Sequence, residues 1–372
     1  MYRRLAIAKI DLSAYSYNLQ EIRKLLSPAT KIMAVVKANA YGHGAIEIAK
    51  TAQKLNIDYL GVVCLYEAQE LRNAGVTLPI LILNAIDTEA AYAAIDLDVS
   101  LTVMDQELLM AVDLYTQKKG IKAKVHVKID SGMHRAGVSP EDAIPFIQKV
   151  EACAGVTLEG VFTHFAMADD ADLTFTKQQL SVFTQIIEEL KKIGITPPLI
   201  HAANSAATLK LPESHFSLVR PGIISYGLHP NPGAFDVPFT PKPVMRLQTQ
   251  IVQLREIAVG ESVGYGRTFV AKRPTKVALL ALGYGDGFRR APQNFGEVLV
   301  RGMRAPLIGR VSMDQSSIDV TDIPNVSLYD EVVLIGSQGS EEISADDVAQ
   351  KIGTINYEVM TGIAARVERV YS

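Results

Sequence analysis

The 372-residue chain has no tryptophan and only two cysteines, Cys64 and Cys153. Two thiols are too few for a disulfide framework, which points to a reducing compartment, and both read as small buried hydrophobes rather than catalytic thiols. Strong charge of one sign is also missing: 37 basic against 40 acidic residues leave a net charge of -3. That balance gives no basic face for nucleic acid or an anionic membrane, and leaves a small molecule as the expected partner. No run approaches the roughly 20 apolar residues of a membrane span. Charges break up residues 1–11 before they could form a signal-peptide core, so cytoplasm is the expected location. The seven histidines include no H-E-x-x-H pair, the cysteines lack zinc spacing, and no Walker loop is present. No metal is therefore expected.

What the chain does have is hydrophobic patterning on a scale that suits two domains. Eight short β-type runs, 32–36, 60–63, 80–83, 100–103, 124–129, 158–162, 199–201 and 218–220, alternate with longer stretches of helical period. Among those stretches, 105–119, 139–151 and 174–194 carry capping residues at their starts or glycine at their ends. Eight such units predict an α/β protein with an N-terminal (β/α)8 TIM-like barrel; periodicity alone also fits an open, doubly wound sheet. Past Gly227 the composition shifts to a proline-rich linker, HPNPG at 229–233 followed by Pro238, Pro241 and Pro243. The strand-like runs 246–254, 276–282, 297–300, 315–320 and 331–335 then predict a mostly β C-terminal domain, with a helix at 344–351. The division expected is a leading strand within 1–12 able to pair with the C-terminal domain, a barrel over 13–235, and a β-rich domain over 236–372.

The apolar run IMAVV ends on Lys37 and continues into ANAYGHG at 38–44. At a barrel's catalytic mouth, a lysine leaving an apolar wall loses affinity for its proton, which frees its amine for Schiff-base chemistry. A lone lysine at a strand end is more often simply solvated. Residues 34–44, however, closely resemble the cofactor-lysine motif of alanine racemases, and further matches run along nearly the whole chain. The resemblance implies a pyridoxal 5'-phosphate enzyme that interconverts L- and D-alanine by a two-base mechanism, supplying D-alanine for cell-wall peptidoglycan.

The same resemblance assigns roles residue by residue. Lys37 is implied to hold pyridoxal phosphate as a Schiff base, with Tyr41, Asn204, Ser205, Gly222, Ile223 and Tyr357 at its phosphate end and Leu83 among its contacts. In VKIDSGMHR (127–135), Arg135 is implied to hold the substrate carboxylate and the cofactor oxygen, and Lys128 to carry a carbamate that positions it. His134 stands where relatives commonly have a smaller residue. His164, in FTHFA (162–166), is implied to lie against the cofactor ring. His201 is given a supporting role, and the guanidinium of Arg220 is implied to sit beside the pyridine nitrogen. An arginine only donates hydrogen bonds, so that nitrogen stays unprotonated and the ring is a weaker electron sink, which favours return of a proton to the α-carbon over transamination.

Racemisation needs a proton carrier on each face of the α-carbon. Lys37 supplies one, and Tyr265 in VGYGR (263–267) is implied to supply the other, reaching the neighbouring subunit's barrel in a homodimer with shared active sites. In GRVSMDQ (309–315), the resemblance gives Met313 a substrate-carboxylate contact and Asp314 a supporting role, with Ser312 replacing a common cysteine. Tyr284, in GYGDG (283–287), and Arg290 are implied to line the channel leading inward. Alone, Tyr265 would read as a Tyr-Gly turn and Asn204 as a helix cap. Three alternatives remain: a serine or broad-specificity racemase, a decarboxylase of the same plan, for which an acidic partner at the pyridine nitrogen is expected where this chain has Arg220, and a non-catalytic cofactor-binding protein.

Overall fold

The computed structural model describes residues 5–292 and 294–372. Its contacts divide the chain into two units: Tyr15–Ala40 with Ala45–Lys242, and residues 5–14 with Tyr41–Gly44 and Pro243–Ser372.

After β1 (Ile7–Ile10), which belongs to the second unit, come eight short parallel strands: β2 (Lys31–Val35), β3 (Tyr59–Val62), β4 (Ile80–Ile82), β5 (Leu101–Val103), β6 (Ala123–Lys128), β7 (Val156–Phe162), β8 (Leu199–His201) and β9 (Leu218–Val219). They run in two sets, β4-β3-β2-β9 and β5-β6-β7-β8. A parallel bridge between Leu81 and Ser100 joins one side. Ser217 N donating to Ile200 O at 3.2 Å, and Arg220 N to Ala203 O at 2.9 Å, join the other. The ring therefore closes, which decides between the barrel and the open sheet.

The helices form where the sequence supplies caps. Asp105 accepts from Leu108 N at 2.8 Å ahead of helix Gln106–Lys119, and Gly120 ends it in the left-handed conformation at φ 67°. Ser139 caps helix Pro140–Ala152, whose first residue is a proline that has no N–H to lose there. Inside the ring, Met33, Tyr59, Leu81, Leu199 and Leu218 form a buried cluster against which Leu83 packs. The barrel is thus a filled core rather than a pore.

In the second unit, the 13-residue strand β10 (Met245–Ile257) is followed by β11 (Ser262–Val263), β12 (Phe269–Val270), β13 (Thr275–Leu280), β14 (Glu297–Val300), β15 (Met303–Ile308), β16 (Ser316–Asp319), β17 (Glu331–Gln338), β18 (Glu341–Ile343) and β19 (Glu368–Tyr371). The main sheet runs β18-β17-β14-β15-β16-β13-β10-β1-β19, and β17 also pairs with β10, so part of it closes on itself and hides its edges. A register shift between Ile251 and Gln253 bends β10, letting its first half pair with β17 and its second with β13. β1 lies antiparallel to β10 and parallel to β19.

Two expectations need correction. Helix Ala345–Ile352 is joined by a second helix, Asn356–Thr361, whose six residues are too few to show a period in sequence. The cysteines are half-exposed rather than buried, because Cys64 and Cys153 fall at the ends of helices Leu65–Asn73 and Pro140–Ala152.

Candidate active site

At the C-terminal end of β2 the chain leaves Lys37 and enters a left-handed turn. Ala38, Asn39, Ala40 and Tyr41 have φ of 52°, 53°, 53° and 53°, a conformation that costs a non-glycine residue roughly 1–2 kcal/mol. The Glu67 carboxylate helps hold it, accepting from Ala38 N at 2.6 Å and from Val63 N at 2.8 Å. Asn39 Oδ1 accepts from Ala45 N at 2.8 Å. Strain kept by such clamps is characteristic of functional loops.

The barrel brings together most of the residues singled out in sequence. Lys37 binds its proton more weakly than usual, through burial first and then repulsion from Arg135 and Arg220. Lys128 is lowered to about 8 by burial and then by the same two arginines. Asp130 folds its loop back on itself: its carboxylate accepts from the backbone N–H of Gly132, His134 and Arg135 at 2.9, 3.0 and 3.0 Å. His134 takes φ 54° within that loop.

Arg220, only 4% exposed, sits at the centre. Nη1 donates to His201 Nδ1 at 2.8 Å, and Nη2 reaches Thr163 O, Ala202 O and His164 Nδ1 at 2.8, 3.1 and 3.2 Å. Both histidines are held well below the ordinary imidazole range, by burial first and then by the guanidinium, so both are neutral. Beside them, Ser205 Oγ accepts from Gly222 N at 2.8 Å, drawing Gly222 and Ile223 next to the start of helix Ser205–Lys210. Asn204 caps that helix through Ala207 N at 3.0 Å.

The second unit holds the remaining candidates in two places. The rings of Tyr41 and Tyr357 lie 6.2 Å apart, and Gly42 packs so closely on Met360 that a Cβ there would lie 2.3 Å from its carbonyl oxygen. Tyr265 opens a 3-10 turn and is 67% exposed. That turn lies on Arg310, with a Cβ at Gly266 placed 3.1 Å from Arg310 Nη1. Tyr284 N and Gly285 N donate to Ser312 O and Met313 O, each at 2.9 Å. Arg290 Nη1 donates to Val311 O at 2.6 Å. Arg366 ties the group together, pairing with Asp286 at 2.8 Å and Asp314 at 2.9 Å.

Glu67 and Arg366 escaped the sequence reading. Glu67 lies within an ordinary helical period, and Arg366 has no motif around it; only the fold shows what they hold. Among the described residues no group of His, Cys, Asp and Glu is arranged to hold a metal. No helix among them is long and apolar enough to cross a membrane.

The cluster fits a phosphate-bearing aromatic aldehyde. Lys37, Lys128, Arg135 and Arg220 gather positive charge that outweighs Glu67 and Asp130 and lowers the two lysines, so an anionic group placed among them is stabilised. Neutral His164 offers an uncharged neighbour for a ring. A (β/α)8 barrel with a proton-poor lysine at the end of its first strand, and a separate β unit, defines a barrel enzyme of the Schiff-base-forming class. The chain belongs to the alanine racemase family: the family models "Alanine racemase, N-terminal domain" and "Alanine racemase, C-terminal domain" match residues 10–230 and 244–371. It is 42% identical to the alanine racemase of Methanococcus maripaludis, covering 98% of each chain. With the alanine racemase of Halothermothrix orenii it shares 43%, covering 98% of this chain and 96% of that one. The solved alanine racemase of Clostridium difficile 630 superposes with a TM-score of 0.95 at 36% identity, covering 100% of this chain and 97% of that one. That of Bacillus anthracis, solved with bound L-Ala-P, gives 0.94 at 38%, covering 100% and 96%.

Proposed function

We propose that this protein interconverts L-alanine and D-alanine with pyridoxal 5'-phosphate, supplying D-alanine for cell-wall peptidoglycan. The observation that carries the reading is the convergence of Lys37, Lys128, Arg135 and Arg220 around neutral His164, with Arg220 also held on neutral His201, at the C-terminal ends of the barrel strands. Lys37 would hold the cofactor, Arg220 its pyridine nitrogen, and Ser205, Gly222, Ile223, Tyr41 and Tyr357 its phosphate. Bound there, the cofactor supplies an electron-withdrawing ring conjugated to the substrate nitrogen, which acidifies the α-hydrogen.

The chain's own groups do the rest. Arg135 and the Met313 N–H bind the carboxylate of the amino acid, and a carbamate on Lys128 holds Arg135 in place. Lys37 Nζ, already poor in affinity for its proton, moves the hydrogen on one face; Tyr265 Oη serves the other. We place Tyr265 in the neighbouring subunit's site, so the working form is a homodimer whose 13–235 domains bind cofactor and whose 236–372 domains complete the opposite site. The exposed position of Tyr265 supports that reading. A cytoplasmic location agrees with both cysteines being free thiols. The guanidinium among the neutral histidines favours racemase over decarboxylase, whose ring nitrogen an acid would be expected to protonate.

Borohydride reduction of the yellow holoenzyme, followed by peptide mapping, should attach the cofactor to Lys37 alone. A colourless protein that takes up no pyridoxal phosphate contradicts the reading.

A further inference from the structure

One carboxylate inside the barrel belongs to none of the roles above. Glu159 lies in β7, where the pairing with β6 steps from Val125↔Leu158 to His126↔Gly160 and leaves Glu159 as an extra residue. Bulges are rare between parallel strands and serve to re-aim side chains. The next residue makes room for what Glu159 meets: a Cβ on Gly160 would lie 2.3 Å from His126 Nδ1, so the imidazole occupies that space. Glu159 then collects three donors from three strands or their ends. Tyr59 OH donates to Oε1 at 2.9 Å, and Ser100 Oγ and His126 Nε2 donate to Oε2 at 2.6 and 3.0 Å.

From His126 the chain of bonds continues to the site. His126 Nδ1 lies 2.9 Å from His201 Nε2, and His201 Nδ1 accepts from Arg220 Nη1 at 2.8 Å. Its direction is fixed at one end by chemistry, because a guanidinium only donates. His201 Nδ1 must accept, so its proton is on Nε2 and passes to His126 Nδ1; His126 in turn carries its proton on Nε2 and gives it to Glu159. Both imidazoles are completely buried.

We propose that Glu159, acting through His126 and His201, is a positioning residue that keeps Arg220 protonated and fixed as a donor to the ring nitrogen of the bound cofactor. The target of that donor rests on the function proposed above. Lys37 and Lys128 lie close enough to Arg220 to feel its charge, but the first is taken up by the cofactor and the second, as a carbamate, is committed to Arg135; His164 and His201 face the guanidinium as neutral rings, and Asp130 is committed to backbone N–H groups. Among the described residues, Glu159 is the carboxylate that reaches the guanidinium through a hydrogen-bonded path of side chains. Burial already weakens the hold of Arg220 on its proton, and removing a negative charge weakens it further.

The test uses holoenzyme carrying pyridoxal phosphate labelled with 15N in the ring. In Glu159→Gln the ring-nitrogen resonance should move toward that of a nitrogen without a donor, and its alkaline transition should fall by about one pH unit or more. Glu159→Asp, which keeps the charge, should return both at least halfway. A carboxylate that merely fills the core would lower the thermal midpoint in the Gln variant and leave the ring resonance in place, which overturns the proposal. Should that variant fail to fold, 15N-histidine spectra of the unaltered holoenzyme decide: His126 and His201 must both carry their proton on Nε2, and a proton on Nδ1 of either overturns it. Failure of the protein to bind pyridoxal phosphate sinks the functional reading separately, and the histidine tautomers still report the direction of the chain.

Discussion

Arg220 Nη1 donates to His201 Nδ1 at 2.8 Å, deep in the barrel, and this bond sets the polarity of the whole site. A group that can only donate is presented upward, with neutral imidazoles at its sides. Replacing it with an acceptor should change what the enzyme makes. Arg220→Glu would hold a proton on the ring nitrogen and strengthen the electron sink. Racemase turnover should fall by roughly 100-fold or more, as when a preorganised electrostatic group is lost, and pyridoxamine phosphate should accumulate during turnover. Chromatography of the released cofactor checks both; unchanged partitioning contradicts the role given to Arg220.

Lys128, lowered to about 8, is about one-tenth neutral at pH 7. Only the neutral amine takes up carbon dioxide, so carbamate formation should rise with pH from 6 to 8 and need dissolved bicarbonate. Supplied with 13C-bicarbonate, the protein should show one carbamate resonance that Lys128→Ala removes. In that variant KM for alanine should rise, because Arg135 loses its anchor. A resonance that survives the substitution contradicts the assignment.

Glu67 joins the backbone after β2 to that after β3 through Ala38 N and Val63 N. Glu67→Gln leaves one acceptor where two are needed, with the left-handed turn following. Bonds to a charged group contribute about 1.5–3 kcal/mol. The variant should lose thermal stability by a part of that and bind cofactor more weakly, measured by calorimetry and by spectrophotometric titration. An unchanged dissociation constant would show that the turn keeps its shape without the clamp.

His164 and His201 stay neutral when buried, whereas in the unfolded chain they take up protons near pH 6.5. The unfolded state therefore binds more protons below that value, so stability present above it is lost as pH falls through it. The thermal midpoint should drop between about pH 7.5 and 5.5, and His201→Asn should flatten the slope. A midpoint that rises on acidification contradicts this sign.

Sequence exposed the barrel well because its strands are continuous apolar runs separated by capped helices, and errors were confined to an end residue or two. The motifs that carry the resemblance also named Lys37, Arg135, His164 and Arg220, which the barrel brings together. Glu159 and His126 were not visible, since one sits on a bulge and the other inside a strand, and their partnership crosses from β7 to β6 by a register step. The pair Glu159-Gly160 within an apolar strand was the available signal: a charge beside a glycine marks a break in the pleat. In the β unit, β15, β18 and β19 carry charged or proline residues that dilute alternation, for example Arg304 and Pro306.

Tyr265 is exposed on its own subunit, so Tyr265→Phe should change the stability of that subunit by no more than about 0.5 kcal/mol. L- and D-alanine are equally stable, and kcat/KM must fall alike in both directions. Exchange of the α-hydrogen is the asymmetric readout. With only Lys37 left, one enantiomer should still exchange with solvent while inversion is nearly abolished; loss of neither removes the phenol from the mechanism.

The most direct test is to incubate the unaltered holoenzyme with L-alanine in deuterated water and resolve the enantiomers by chiral chromatography and mass spectrometry. The account predicts D-alanine appearing with deuterium at the α-carbon until the two forms are equal. Recovery of L-alanine alone with its hydrogen retained, or release of carbon dioxide, would contradict it.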